Sequence, residues 1–151
     1  MALIHRILVA TDFSESARGA LDHGGTLAAQ LGVPLVLLHV YVNPVVVAPD
    51  GYMMATLEDP AAMRGQLEAA LARLRSRARE LGARSVEVAL GEGTPWSEII
   101  RIARERQCDL IVMGTHGHSG LSHFLLGSVA EKVVRKAEVP VLTVRSTEAA
   151  R

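Results

Sequence analysis

The sequence has a single cysteine in 151 residues, no surplus charge of either sign, and no apolar run long enough to cross a bilayer. Each absence removes a class of protein. Cys108 alone cannot form an internal disulfide, which fits a reducing compartment. Its place at the start of an apolar stretch reads as inert packing. Lys plus Arg number 16, as do Asp plus Glu. The chain therefore has no general attraction for nucleic acid, and no dense basic run supplies a local one. The most apolar region, Leu35 to Ala48, is broken by His39, Asn43 and Pro44, too short and too punctuated for a transmembrane helix. The apolar run within Met1 to Ala10 contains His5 and Arg6 and leads straight into Thr11-Asp12, unlike an export signal. The expectation is a cytoplasmic protein with neither nucleic acid nor membrane as partner. Internal repeats and low-complexity segments are also lacking.

What is present is a regular alternation of short apolar runs with helical patterns. Arg6 to Ala10, Leu35 to Val42, Ser85 to Leu90, Cys108 to Met113 and Pro140 to Val144 read as strands. The first, second and fourth are nearly continuous in apolar residues, as in a sheet covered on both faces. Ser85 to Leu90 alternates, which points to one more exposed face. Between the strands, Ala17, Leu21, Ala28 and Leu31 share one helical face. Met63, Leu67, Leu71, Leu74, Ala78 and Leu81 share another, in a helix from about Pro60 to Leu81. Ser14 or Asp12 can cap the first helix, and Gly32-Val33-Pro34 stops it. Thr94 stands as a cap before Pro95, which suits a first helical position. A last helix is expected over Val129 to Lys136. Asn43 to Asp59 is a long connection, of a length that is functional or mobile in compact domains. Met53 and Met54 within it could cover a ligand but read more simply as an ordinary loop.

Five strands with helical crossovers predict an α/β fold, a single doubly wound domain over residues 1–146 with a five-stranded parallel sheet and helices on both faces. Residues 147–151 are expected to form a frayed tail. If the strand order is 3-2-1-4-5, the switch point lies between the first and fourth strands, and ligands bind there beyond the carboxyl ends. The segments that meet at that point are Ala10-Thr11-Asp12 and Gly114 to Ser128, with Val40-Tyr41-Val42 as an adjacent wall.

The second of these segments is the densest feature of the chain. Met113 to Ser128 carries Gly114, Gly117, Gly120 and Gly127 among Thr115, Ser119, Ser122 and Ser128. Glycines allow close backbone approach to a ligand, and the helix that follows offers free N–H groups and a positive dipole end to an anion. This combination reads as a phosphate loop. It belongs to neither of two common glycine-loop classes. The first strand-to-helix turn, T-D-F-S-E-S, has no glycine where G-x-G-x-x-G would stand, and G-x-x-x-x-G-K-[ST] is absent.

The loop instead fits G-x2-G-x9-G-[ST] without a gap, through Gly114, Gly117, Gly127 and Ser128. With A-T-D-F-S at Ala10 to Ser14, L-L-H-V at Leu37 to Val40, G-T-P at Gly93 to Pro95 and V-P-V-L-T-V at Val139 to Val144, the chain resembles a universal stress protein of the ATP-binding, UspA-like branch over nearly its whole length. The resemblance implies a Rossmann-like fold of the adenine nucleotide alpha hydrolase type, ATP as ligand, and Mg²⁺ or Mn²⁺ beside its phosphates. It implies that Gly114, Gly117, Gly127 and Ser128 surround the ribose-phosphate part, that Asp12 lies near the ribose, that Val40 offers backbone groups to adenine, and that Val129 adds a helix-start N–H. With the switch-point residues, the candidate nucleotide contacts are Ala10, Thr11, Asp12, Val40, Met113, Gly114, Gly117, His118, Gly127, Ser128 and Val129. No residue is assigned to the metal. The resemblance further implies a homodimer through the last strand, Val139 to Val144, an apolar edge otherwise open to pairing. Ala10 stands where many relatives have proline, and Gly120, His116, His118 and His123 enrich this loop.

Plainer readings stand beside these. Ser128-x-x-Glu131 is also a capping box, Gly114 also suits a strand-end turn, and Asp12 also suits a helix cap. The loop histidines match no zinc spacing and read as solvated residues. His39, in a buried strand, reads as a hydrogen-bonded core histidine. The functional expectation is a nucleotide-dependent regulatory protein of the stress response that binds ATP. The alternatives are a slow ATPase or autophosphorylating enzyme acting through Ser128 or a loop histidine, and an interaction module with little or no nucleotide binding. With no lysine in the loop and no base placed to activate water, binding is expected to be better developed than turnover.

Overall fold

The computed structural model describes residues 3–43, 46–47, 49–51, 53–54, 59–116 and 126–146. Along them run β1 (Ile7–Ala10), α1 (Glu15–Leu31), β2 (Leu35–Tyr41), β3 (Val46–Val47), β4 (Met53–Met54), α2 (Pro60–Glu80), β5 (Val86–Glu92), α3 (Pro95–Glu105), β6 (Leu110–Gly114), α4 (Ser128–Lys136) and β7 (Val141–Val144). Gly117, His118, Gly120, His123 and the tail at 147–151 lie outside the described residues.

Five strands pair in the order β5-β2-β1-β6-β7, and every neighbouring pair is parallel. Numbered among themselves these strands run 3-2-1-4-5, as the alternation of apolar runs and helices predicts. β1 holds the centre, with Ile7 opposite Leu35 on one side and Leu110 on the other. All four of its residues are buried, because successive side chains point to opposite faces and both faces are covered. Ile7, Val9, Leu35, Leu37 and Val112 pack with Ala20, Leu21 and Ala28 of α1 and Leu71 and Ala78 of α2. Leu8, Val36, Leu38 and Ile111 pack with Ile99 and Ile102 of α3 and Ala130 and Val133 of α4. Each fully buried Leu, Ile or Val side chain contributes about 1.5–3 kcal/mol, so this two-sided core supplies the main driving force.

Close approach decides one detail of the packing. A Cβ added to Gly24 would stand 2.5 Å from Val9 Cγ2, so glycine is what lets α1 settle onto the central strand. α1 then ends at Gly32 in the left-handed region, φ 68°, its N–H bonded to the Ala28 carbonyl, which is the stop expected from Gly32-Val33-Pro34. Cys108 is buried. Burial pushes its thiol up to about 11, so it stays protonated and inert at neutral pH.

Two local expectations are corrected. The connection after β2 carries a short antiparallel ribbon, Val46 opposite Met54 and Val47 opposite Met53. Strands of two residues carry no readable period. Thr94 does occupy the cap position of α3, but its side chain makes no capping bond. Among the described residues, no helix is long and apolar enough to cross a membrane.

Candidate functional site

β1 and β6 lie side by side, yet the helices that follow them, α1 and α4, cover opposite faces of the sheet. A crevice opens where the chain departs in two directions. A cavity of about 300 Å³ occupies it, at the lower end of the range for small-molecule sites. Its walls come from Ala10, Thr11 and Asp12 after β1, from Leu38 and Val40 of β2, and from Met113, Gly114, Thr115 and His116 at the end of β6. Gly127, Ser128, Val129 and Ala130 at the start of α4, Pro95 and Ile99 of α3 and Ala17 of α1 complete the lining. Every sequence-derived candidate among the described residues lines this cavity, namely Ala10, Thr11, Asp12, Val40, Met113, Gly114, Gly127, Ser128 and Val129. The candidate contacts did not include Ala17, Leu38, Pro95, Ile99, Thr115, His116 and Ala130, which also line it. Leu38 was accessible from period two, since it lies on the same strand face as Val40.

The first loop is held by a chain of short bonds. The Thr11 N–H donates to the Leu38 carbonyl at 2.8 Å, which prolongs the sheet by one rung. The Phe13 N–H donates to Thr11 Oγ1 at 3.0 Å. The Ser14 N–H donates to Asp12 Oδ1 at 3.0 Å, and the Ala17 N–H to Ser14 Oγ at 3.2 Å. Ser14 is therefore the cap of α1, while Asp12 stabilises the turn before it and borders the cavity. Phe13 sits at φ 65°, a left-handed conformation that is uncommon for a bulky residue.

The second loop is tied at its base. The Thr115 N–H donates to the Val144 carbonyl at 3.0 Å, and the Gly127 N–H donates to the Thr115 carbonyl at 2.6 Å. The His116 N–H reaches Ser16 Oγ at 3.4 Å, and the His116 ring nitrogen Nδ1 lies 2.8 Å from Thr115 Oγ1. Gly114 passes under Ser16 so closely that a Cβ would stand 2.8 Å from the Ser16 carbonyl carbon. That gives this glycine a packing reason of its own.

The start of α4 differs from the capping-box pattern. Gly127, in extended conformation, is the N-cap residue, and among the described residues no side chain caps the helix. Ser128 is its first helical residue, and Glu131 pairs with Arg135 instead of reaching back. The box fails because the hydroxyl residue must itself take the extended cap position, and Gly127 holds it. α1 and α2 are capped by Ser14 and Asp59. The first turn of α4 borders the cavity, and a helix start there turns its dipole and first N–H groups toward an anion. The same cavity is lined by the apolar residues Leu38, Val40 and Ile99. The cavity thus combines an apolar lining, an anion-favouring helix start and the carboxylate residue Asp12.

Residues 4–145 match the universal stress protein family model. The chain belongs to the universal stress protein family. It is 34% identical to universal stress protein MJ0531 of Methanocaldococcus jannaschii, over 95% of this chain and 83% of that protein. Among solved structures it is similar to a universal stress protein in complex with cAMP, with a TM-score of 0.73 and 27% identity over 97% of this chain and all of the other. It is similar also to the universal stress protein from Archaeoglobus fulgidus in complex with dAMP, with a TM-score of 0.67 and 25% identity over 95% of this chain and 99% of that one. Among the described residues of this universal stress protein, no three His, Cys, Asp or Glu side chains gather as a metal site.

Proposed function

We propose that this universal stress protein binds ATP, accompanied by Mg²⁺ or Mn²⁺, in the crevice between β1 and β6, and that it acts as a nucleotide-dependent regulatory protein of the stress response. The observation that carries the reading is the meeting of Asp12, Val40, Gly127 and Ser128 around one cavity. The apolar lining suits adenine, a carboxylate can accept from ribose hydroxyls, and a helix start suits phosphate. The cAMP and dAMP complexes of relatives support an adenine nucleotide as the ligand class.

The donor set fits a cation carried by phosphates rather than a protein cage. Among the described lining residues, Asp12 is the sole carboxylate, and Thr11, Thr115 and Ser128 carry the side-chain hydroxyls. Mg²⁺ typically keeps several waters and takes one or two carboxylates plus substrate phosphates. Hydrolysis is proposed to be slow at most. The described lining holds neither lysine nor arginine to meet developing charge, and Asp12 already spends Oδ1 on the Ser14 N–H. A homodimer through Val139 to Val144 accompanies this reading. β7 is a sheet edge, and Leu142 in it is 40% exposed.

Calorimetric titration with ATP and Mg²⁺ tests the proposal. Heat with a one-to-one stoichiometry is expected, lost in Gly127→Val while the circular dichroism spectrum is retained. No heat at millimolar ATP, or full affinity in the variant, defeats it.

A further inference from the structure

His39 does not line the cavity, although its neighbours Leu38 and Val40 both do. Alternation along β2 sends it to the opposite face of the sheet. There its ring packs against Phe13, centroids 4.5 Å apart and planes at 43°. Its Nδ1 lies 2.7 Å from the Thr11 carbonyl oxygen. A carbonyl can only accept, so Nδ1 carries the hydrogen. The Thr11 N–H still belongs to the sheet, bonded to Leu38, whereas its carbonyl is taken by a side chain. Past that point the chain turns through Asp12 and enters the left-handed conformation at Phe13. Such a conformation persists only where the surroundings over-determine it. Here those surroundings are the His39 ring on one side and the Thr11 Oγ1 bond to the Phe13 N–H on the other. Asp12 is enclosed between the two residues that His39 touches.

The geometry points to His39 as a positioning residue for the nucleotide site. From behind the sheet its ring packs against Phe13, while its Nδ1–H fixes the Thr11 carbonyl, and it is this hydrogen bond that sets the direction in which Asp12 meets the ligand. This rests on the nucleotide reading above, and it assigns to His39 no contact with the ligand. A merely structural histidine would change stability and leave affinity alone. A positioning histidine changes affinity through Asp12.

Two variants separate ring from hydrogen bond. His39→Phe keeps an aromatic ring against Phe13 and removes the donor. His39→Asn places an amide N–H near the position of Nδ1 and removes the ring. Affinity for ATP and Mg²⁺, measured by calorimetry on folded protein, is expected to fall about tenfold in His39→Phe, the scale of one hydrogen bond. It is expected to recover in His39→Asn to within about threefold of wild type on the same scale. In an Asp12→Ala background, His39→Phe is expected to cost nothing further, since the two act as one unit. Unchanged affinity in His39→Phe, or additive losses with Asp12→Ala, overturns the proposal. Amide hydrogen exchange at Phe13 and Ser14 gives a readout free of ligand, and faster exchange is expected in His39→Phe but not in His39→Asn. Unchanged exchange in His39→Phe overturns the positioning role whatever the wild type binds. If exchange responds and wild-type protein binds no nucleotide, the loop lock stands and the nucleotide reading alone is lost.

Discussion

Gly114 and Ser16 occupy the same contact: a methyl group on Gly114 would lie 2.8 Å from the Ser16 carbonyl carbon and 2.9 Å from its Cβ. The end of β6 and the first turn of α1 are therefore pressed together beneath the cavity. Gly114→Ala is expected to lower stability by about 1–3 kcal/mol, the usual cost of forced overpacking, read as a fall in the denaturant midpoint. Ser16→Ala in the same chain is expected to give little rescue, because a backbone carbon remains in the way. Full stability in Gly114→Ala would mean that α1 can move aside. Weakened nucleotide binding in that variant would then be no proof of a contact at Gly114, since the wall itself has been displaced.

Asp12 gives a sharper test of ligand contact, because it is polar, borders the cavity and does not cap α1. If its carboxylate accepts from ribose hydroxyls, wild-type protein prefers ATP to 2′,3′-dideoxy-ATP by about tenfold, as for a charge-assisted hydrogen bond. Asp12→Ala is expected to bring the two ligands to equal affinity. Competition titrations with both nucleotides measure this, and a preference that survives the substitution excludes Asp12 from the sugar.

At the far end of the sheet, Asp109 accepts from the N–H groups of His5 at 2.9 Å and Arg6 at 3.0 Å, and from the His5 ring at 2.9 Å. Burial alone would raise this carboxyl, but the Arg6 and His5 backbone bonds and the His5 ring outweigh it and hold it below its ordinary value of 3.8. A depressed carboxyl stabilises the fold fully above its unfolded value and loses that contribution as pH falls through its folded value. Asp109→Asn is therefore expected to be less stable than wild type by about 1 kcal/mol at pH 7, with the gap closing in acid below 3.8. Urea unfolding at pH 7 and pH 3 checks the sign. A constant gap would remove the ionised carboxylate from the account.

The parallel sheet and its switch point were readable because both follow from period and spacing. Leu8 and Val9 both read as buried, and a strand buried on both faces between helical crossovers has few possible places. The glycine loop was readable for a similar reason: Gly114, Gly127 and Ser128 hold fixed offsets from one strand end and one helix start. What stayed hidden depends on contacts across the fold. Whether Ser128 or Gly127 caps α4 turns on one backbone dihedral, and both patterns share the same letters. Nothing near Phe13 announces positive φ, and its ring partner His39 lies on the next strand. Gly114 could equally serve a turn or a ligand until Ser16 was found above it.

The bond from the Gly127 N–H to the Thr115 carbonyl joins both ends of the glycine segment before any ligand arrives. Closing a loop costs entropy that grows only slowly with its length. The Gly127–Thr115 bond meets part of that cost within the fold itself. Thr115 and Gly127 thus stand as two joined posts at the base of the segment. Changes in the length of chain between the posts should be felt weakly at the posts themselves, which leaves evolution free to vary that stretch while the helix start keeps its aim.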